Sequence, residues 1–293
     1  MISSASRVDL RGKTCLISGV TQGIGRVTAR EIAKHGPDMV LIARDRQRGQ
    51  EVAREVKDAG SPRVELIIAD LSSQADVRRA AAEFKELSDK LHILVNNAGA
   101  LFTERKLSAD GIEMTLALNH LGYFLLTLEL LDVIKASAPA RIINVASRAH
   151  QRGRIDFDDL QYEKKGYSGA GFPAYSQSKL ANILFTRELA RRLAGTGVTA
   201  NSLHPGVIAT GFGADASGLL RLGFRLARPF FLTPEEGART TVYLATSPEV
   251  EGVTGKYFAR CKEAKPRPQA LDDATARRLW EVSEALVRPR AAS

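Results

Sequence analysis

The sequence predicts an α/β protein: one doubly wound parallel sheet with helices on both faces. Three observations carry that prediction. Short apolar runs alternate with longer helical patterns from Lys13 onward, a glycine-bearing turn joins the first run to its helix, and no linker or internal repeat interrupts the series. The runs are Thr14 to Ser18, Met39 to Ala43, Val64 to Ala69, Ile93 to Asn96, Arg141 to Ser147 and Val198 to Leu203, with a last short one at Lys256 to Ala259. Strands buried on both faces read as such unbroken apolar runs, and parallel neighbours need a crossover of helical length between them. Helical patterns fill those gaps at Ile24 to His35, Gln47 to Ala59, Gln74 to Ser88 and Ala174 to Ala194. A last one, Ala274 to Leu286, repeats Leu279, Val282 and Leu286 at helical period and is expected to cap the core or form an oligomer face.

Two segments depart from the alternation. Residues 149–171 carry Gly153, Gly166, Gly169 and Gly171 with an acidic run at 156–159, and residues 207–232 carry Arg221, Arg225 and Arg228 among apolar side chains. Both follow strands, at the edge where open α/β sheets bind ligands. The second reads as a substrate lid, with a basic amphipathic membrane contact or a plain core helix as alternatives.

Composition narrows the function. With 293 residues, 44% of them hydrophobic, the chain can bury a core, which excludes disordered and collagenous classes. The net charge of +9 is dispersed over predicted helix faces without aromatic interleaving, so no nucleic-acid partner is expected. Cys15 and Cys261 stand far apart and no His/Cys cluster has ligand spacing, so neither a disulfide, a metal nor a redox pair is expected. No apolar stretch approaches the roughly 18–20 residues of a membrane span, and Met1 to Asp9 lacks a signal-peptide core. A cytoplasmic location is the expectation.

The motifs lie where strands run into turns. Gly19-Val20-Thr21-Gln22-Gly23-Ile24-Gly25 follows the first strand and opens a helix, a spacing that lets backbone N–H groups approach a pyrophosphate, although any tight turn also uses glycine. The next strand ends in Arg44-Asp45; an arginine there pairs with a ribose 2′-phosphate, whereas an acidic residue accepts from a free 2′-hydroxyl. Arg44 points to NADP(H), with NAD(H) as the alternative through Asp45, and Arg26 adds weaker phosphate charge. Asp70 and Asn97-Ala98-Gly99 end the third and fourth strands and fit either a cofactor or ordinary turn chemistry. Tyr175 and Lys179 lie four apart behind Pro173, on one helical face. A lysine cation beside a phenol lowers its pKa from about 10 and makes it an acid/base; a surface pair is the plainer reading. Ser147 ends a buried-looking strand, and Asn119 sits in Leu118-Asn119-His120-Leu121-Gly122. His120 and His204 read as supporting groups near such a site rather than catalysts.

Gly19/Gly23/Gly25, Asn97-Ala98-Gly99, Asn119, Ser147, Tyr175, Lys179 and Pro205-Gly206 together resemble the short-chain dehydrogenase/reductase family, in order and over nearly the whole chain. The resemblance implies a Rossmann-type fold of about seven parallel strands, one domain over 1–293 with a substrate loop at 207–232 and a helical tail at 262–293, and assembly as a homodimer or tetramer. It implies Tyr175 as general acid/base, Lys179 as its partner on the nicotinamide ribose, Ser147 as the donor orienting the carbonyl and Asn119 as support of a proton relay. It also implies cofactor contacts from Gly19, Thr21, Gln22, Gly23, Ile24, Gly25, Arg44, Asp70, Leu71, Asn97, Ala98, Gly99, Tyr175, Lys179, Pro205, Gly206, Val207 and Thr210. Ser18 stands where the family often has threonine, and its hydroxyl is expected to do the same turn-stabilising work. A closer resemblance, carried by Ala43-Arg44-Asp45, Asn119 to Phe124, Asn144 to His150 and Ala276 to Trp280, is to the retinol dehydrogenase-like branch, whose members act on lipophilic aldehydes, ketones and alcohols. The expected function is NADP(H)-dependent hydride transfer on such a substrate. A noncatalytic NADP(H)-binding sensor or scaffold and a reductase of another bond type are the alternatives.

Overall fold

The strands assemble as the apolar runs predict, in a computed structural model that describes residues 8–206 and 232–288. The sheet contains β1 (Thr14–Ser18), β2 (Asp38–Ala43), β3 (Val64–Ile68), β4 (Ile93–Asn96), β5 (Ala140–Val145), β6 (Val198–Leu203), β7 (Tyr257–Ala259) and β8 (Lys262–Glu263), in the order β3-β2-β1-β4-β5-β6-β7-β8. Seven strands are parallel. The eighth is an addition to the expected set: β8 turns back from β7 antiparallel through Arg260 and Cys261, both at positive φ, and is too short to leave an apolar signature.

Alternation along each strand divides the core. In β1, Cys15 and Ile17 face one helical layer while Leu16 faces the other, and all three are fully buried. The first layer contains α1 (Gly23–Ala33) and α2 (Arg46–Ala59), with Ile32, Val52 and Val56 in its core. The opposite layer contains α3 (Gln74–Leu87), a helical stretch built from α4 (Met114–Leu116), a π-helical turn (Ala117–Leu121), α5 (Gly122–Glu129) and α6 (Leu131–Ala136), then α7 (Phe172–Arg192). Helix α8 (Pro234–Thr246) returns to the first layer, and α9 (Asp273–Val287) packs over α7. Trp280 of α9 meets Phe124 edge-on at 4.9 Å between ring centroids, with Phe185 at 5.8 Å and the Arg192 guanidinium 4.2 Å from its ring. Aromatic contacts of this kind add about 0.5–1.5 kcal/mol beyond burial and hold the tail helix on the core.

The helical stretch at 114–136 and α8 were not marked by periodicity. Leu116, Ala117, Leu121, Tyr123, Phe124, Leu125 and Leu126 are all buried, so no polar stripe reveals a 3.6-residue repeat, and the π turn shifts the register besides. Strand β5 ends two residues before the predicted Ser147, because the Ser147 side chain instead accepts from Ala149 N–H and caps a short 3₁₀ turn (Arg148–Arg152). Between β1 and β4 the winding changes direction, and β1, β4, β5 and β6 bring their carboxyl ends to one edge. No described helix is long and apolar enough to cross a membrane.

Candidate active site

At that edge the chain leaves β1 through Gly19, whose φ of +72° and whose distance to Ala98 admit no side chain: a Cβ would sit 2.6 Å from Ala98 Cα. Helix α1 then starts at Gly23 with no side-chain cap and no acidic residue in its first turn. By contrast α2, α3, α8 and α9 are capped by Asp45, Ser73, Thr233 and Asp272. The first N–H groups of α1 are therefore available, with the helix dipole behind them, for an anionic ligand. The turn is braced from β4. Asn97 Nδ2 donates to both Ser18 O and Gly19 O at 3.0 Å, and Ser18 Oγ accepts from Asn97 N–H at 3.1 Å and Ala98 N–H at 3.2 Å. Ser18 thus does the turn-stabilising work expected of it, and Asn97 organises the glycine turn with its amide N–H groups engaged.

The other polar groups converge beside it. Asn119 lies in the π turn, its Oδ1 accepting from Ala100 N–H at 2.9 Å and its Nδ2 donating to Ala100 O at 2.9 Å and Ser178 Oγ at 3.1 Å. Its amide is tied to the loop after Gly99, and its main-chain carbonyl accepts from Asn182 Nδ2 at 2.9 Å. On α7, Lys179 is 4% exposed, donates from Nζ to Val145 O at 3.0 Å, and lies 5.7 Å from the Tyr175 ring centroid. The Ser147 side chain lies beside the Tyr175 phenol, near enough to lower its pKa. Serine, phenol and ammonium therefore share one cleft.

Electrostatics there differ from the expectation of a depressed phenol. Burial raises the Tyr175 pKa, opposed by the Ser147 hydrogen bond, and burial pushes the Lys179 ammonium down to about 7. Each lone charge is disfavoured because both groups are out of water. Tyr175 is consequently held as a proton donor.

The remaining expected contacts are placed unevenly. Arg44 is exposed at the end of β2, and Asp45 beside it accepts from Arg48 N–H at 3.0 Å as the cap of α2. Arg26 pairs with Glu55, and this ion pair takes it from the phosphate role. One Asp70 oxygen accepts from Ser72 N–H and Oγ at 2.9 and 2.7 Å, and Leu71 is buried with its carbonyl against Gly122. Thr21, Gln22, Ile24 and Gly25 lie in the α1 turn, and Pro205 and Gly206 leave β6 at the same edge. Val207, Thr210 and residues 207–231 of the expected substrate segment lie outside the described residues. His120 faces away, with Nδ1 donating to Asn182 Oδ1 at 3.3 Å and Nε2 accepting from Ser283 Oγ at 2.9 Å, so it backs Asn182.

The family profile described as Enoyl-(Acyl carrier protein) reductase matches residues 19–260. Retinol dehydrogenase 14 of Homo sapiens is 46% identical over 295 residues, covering 95% of this chain and 87% of that protein. This chain is a short-chain dehydrogenase/reductase. Among solved structures similar to this short-chain dehydrogenase/reductase, an uncharacterized protein from Mycobacterium Paratuberculosis has a TM-score of 0.78 at 32% identity, covering 99% of this chain and 98% of that one. The Pseudomonas aeruginosa RhlG/NADP active-site complex has a TM-score of 0.66 at 30% identity, covering 86% and 95%. The family uses nicotinamide cofactors. The residues of this short-chain dehydrogenase/reductase fit such a group: the uncapped α1 turn suits a pyrophosphate, and Gly99 leaves open the space in which a Cβ would come within 3.3 Å of Lys179 Nζ.

Sequence reasoning missed Ser178 and Asn182, which hold Asn119 from α7. Sequence shows only their polarity: that Gln177, Ser178, Asn182 and Thr186 are all buried, an unusual density for one helix, is decided by the folded chain. Lys179 makes a prediction testable without substrate. Its folded pKa is about 7, while an unfolded lysine titrates at about 10.4. Between those values the unfolded chain binds more protons, so this lysine makes unfolding free energy rise with pH. Urea melts at several pH values across that window should show the wild type gaining on Lys179→Met as pH rises. A constant gap would mean that Lys179 stays charged in the folded protein.

Proposed function

We propose that this short-chain dehydrogenase/reductase is an NADP(H)-dependent oxidoreductase that moves a hydride between nicotinamide and the carbonyl or alcohol carbon of a lipophilic aldehyde, ketone or alcohol. The observation that carries it is the meeting of Ser147, Tyr175 and Lys179 in one cleft, at the sheet edge onto which the uncapped α1 opens. The bound nicotinamide supplies or accepts the hydride. In reduction, Ser147 donates to the substrate oxygen and Tyr175 delivers its proton there, while Lys179 balances the resulting phenolate charge. Asn119 acts through Ala100, keeping the loop after Gly99 in register with α7.

NADP(H) is favoured by two details. Arg44 makes no ion pair among the described residues, whereas Asp45 is engaged by the N-terminus of α2. Arg44→Ala is expected to raise the NADPH dissociation constant roughly tenfold with little change for NADH, as loss of one charge-assisted phosphate contact dictates. Equal shifts in fluorescence titrations would remove the preference. The retinol dehydrogenase relatives support a lipophilic substrate. The description of the matching family profile favours a second reading, reduction of a carbon–carbon double bond. NADPH oxidation measured on aldehydes of graded chain length, retinal and an enoyl thioester distinguishes them. Turnover on the thioester alone would overturn the carbonyl assignment.

A further inference from the structure

Behind Ser147 lies a chain of two imidazoles and a phenol that the proposed reaction does not use, with His150 and Tyr257 buried and His204 partly so. His150, fully buried, presents Nδ1 to Ser147 O at 2.7 Å and to the Tyr257 hydroxyl at 3.3 Å, and its Nε2 lies 3.4 Å from Arg267 N–H. The same Tyr257 hydroxyl lies 2.6 Å from His204 Nδ1. Tyr257 belongs to β7 and His204 follows β6 directly, so the phenol is mounted on the sheet.

The hydrogen-bond directions follow link by link. A carbonyl only accepts, so His150 carries its proton on Nδ1, which leaves Nε2 free to accept from Arg267 N–H. Toward Nδ1–H the Tyr257 oxygen can only accept, and its own proton goes to His204 Nδ1, which places the His204 proton on Nε2. Burial lowers the pKa of both imidazoles, His204 to about 4 with the charges of Arg148 and Arg260 adding to it, and His150 with the charge of Arg267 adding to it against the opposing bond to Ser147 O, so the neutral form of each ring is favoured. The Ser147 carbonyl is thus held twice by one residue, by the His150 N–H at 3.1 Å and by its ring. The Ser147 side chain is held from the other side by Ala149 N–H at 3.2 Å.

We propose that His150, oriented by Tyr257, is a positioning residue for the Ser147–Tyr175 pair, anchoring the serine main chain so that its hydroxyl meets both the phenol and the substrate oxygen. The proposal rests on the carbonyl-reducing function given above. A purely packing role would be served by apolar rings, since buried polar groups cost stability unless every partner is supplied.

The test compares His150→Leu, His150→Asn and Tyr257→Phe. Leucine removes the ring donor; asparagine keeps an N–H near the Nδ1 position. Because a displacement near 1 Å costs up to about a hundredfold, His150→Leu is expected to lower kcat at least about tenfold, with KM and the NADPH dissociation constant nearly unchanged, and His150→Asn to restore most of it. Tyr257→Phe should lower kcat by a smaller factor. Ring ¹⁵N shifts of the wild-type protein provide a readout that needs no substrate: His150 is expected as the Nδ1–H tautomer and His204 as Nε2–H, with Tyr257→Phe altering the His204 Nδ1 signal. An Nε2–H signal for His150, an unchanged kcat in His150→Leu, or equal losses in His150→Leu and His150→Asn would each overturn the positioning role. A wild type without turnover on any carbonyl, with the tautomers as expected, would instead overturn the proposed function, and the positioning role with it.

Discussion

Tyr175→Phe should abolish most turnover while leaving cofactor binding intact. Phenylalanine keeps the ring, its contact with Phe172 at 6.3 Å between centroids, and the apolar volume; only the hydroxyl beside Ser147 disappears. Burial holds that hydroxyl protonated, and among the described residues no other titratable side chain is bonded to the Ser147 hydroxyl, since the His150 ring reaches only the Ser147 carbonyl. Positioned proton transfer contributes about 10²–10⁴-fold, so kcat is expected to fall at least about a hundredfold, near 2.7 kcal/mol of barrier. The NADPH dissociation constant should stay within about threefold, because the α1 turn is untouched. Melting temperature should fall only slightly, as one net hydrogen bond is worth about 1 kcal/mol. Wild-type turnover in the variant would mean that the proton comes from another group.

Gly25→Ala is expected to have the second largest effect, on cofactor affinity. A Cβ there would stand 2.1 Å from Gly19 O and 2.4 Å from Asn97 Nδ2, two atoms already hydrogen-bonded to each other at 3.0 Å. Gly19 O is backbone, and Asn97 Nδ2, although a side-chain end, is pinned by its bonds to Ser18 O and Gly19 O, so relief requires α1 to lift or the Ser18–Asn97–Gly19 bracing to open. Either movement disperses the N–H groups that face a pyrophosphate. NADPH affinity should fall on the order of a hundredfold, and stability by about 1–3 kcal/mol from overpacking. Calorimetric titration beside a thermal melt separates the two; unchanged affinity would place the cofactor elsewhere.

Much of the frame was legible because strands buried on both faces write themselves as apolar runs. Thr14–Ser18, Ile93–Asn96 and Val198–Leu203 have the same ends in the structure as in the prediction. Helix α7 shows a limit: nearly every residue from Ala174 to Ala190 is buried, so its sequence carries little amphipathic pattern, and Pro173 announced it better than periodicity. Helix α8 had a readable start, Thr233 with Glu236 three residues on and Pro234 between them, which the structure forms as a reciprocal capping box. The 114–136 stretch had no equivalent mark.

The candidate site divides in the same way. Tyr175 and Lys179 could be paired from sequence because helical geometry is local: four residues return the chain to one face. That Ser147 meets Tyr175, that Asn119 is held by Ala100 and Ser178, and that His150 reaches Tyr257 across 107 positions are long-range facts. Short-range geometry and hydrophobic patterning dictated the layered fold and the edge at which ligands would bind. Only the folded chain decided how protons are held there, because desolvation depends on what packs around a group: in this cleft burial outweighs the attraction between phenol and ammonium that the spacing of Tyr175 and Lys179 predicts.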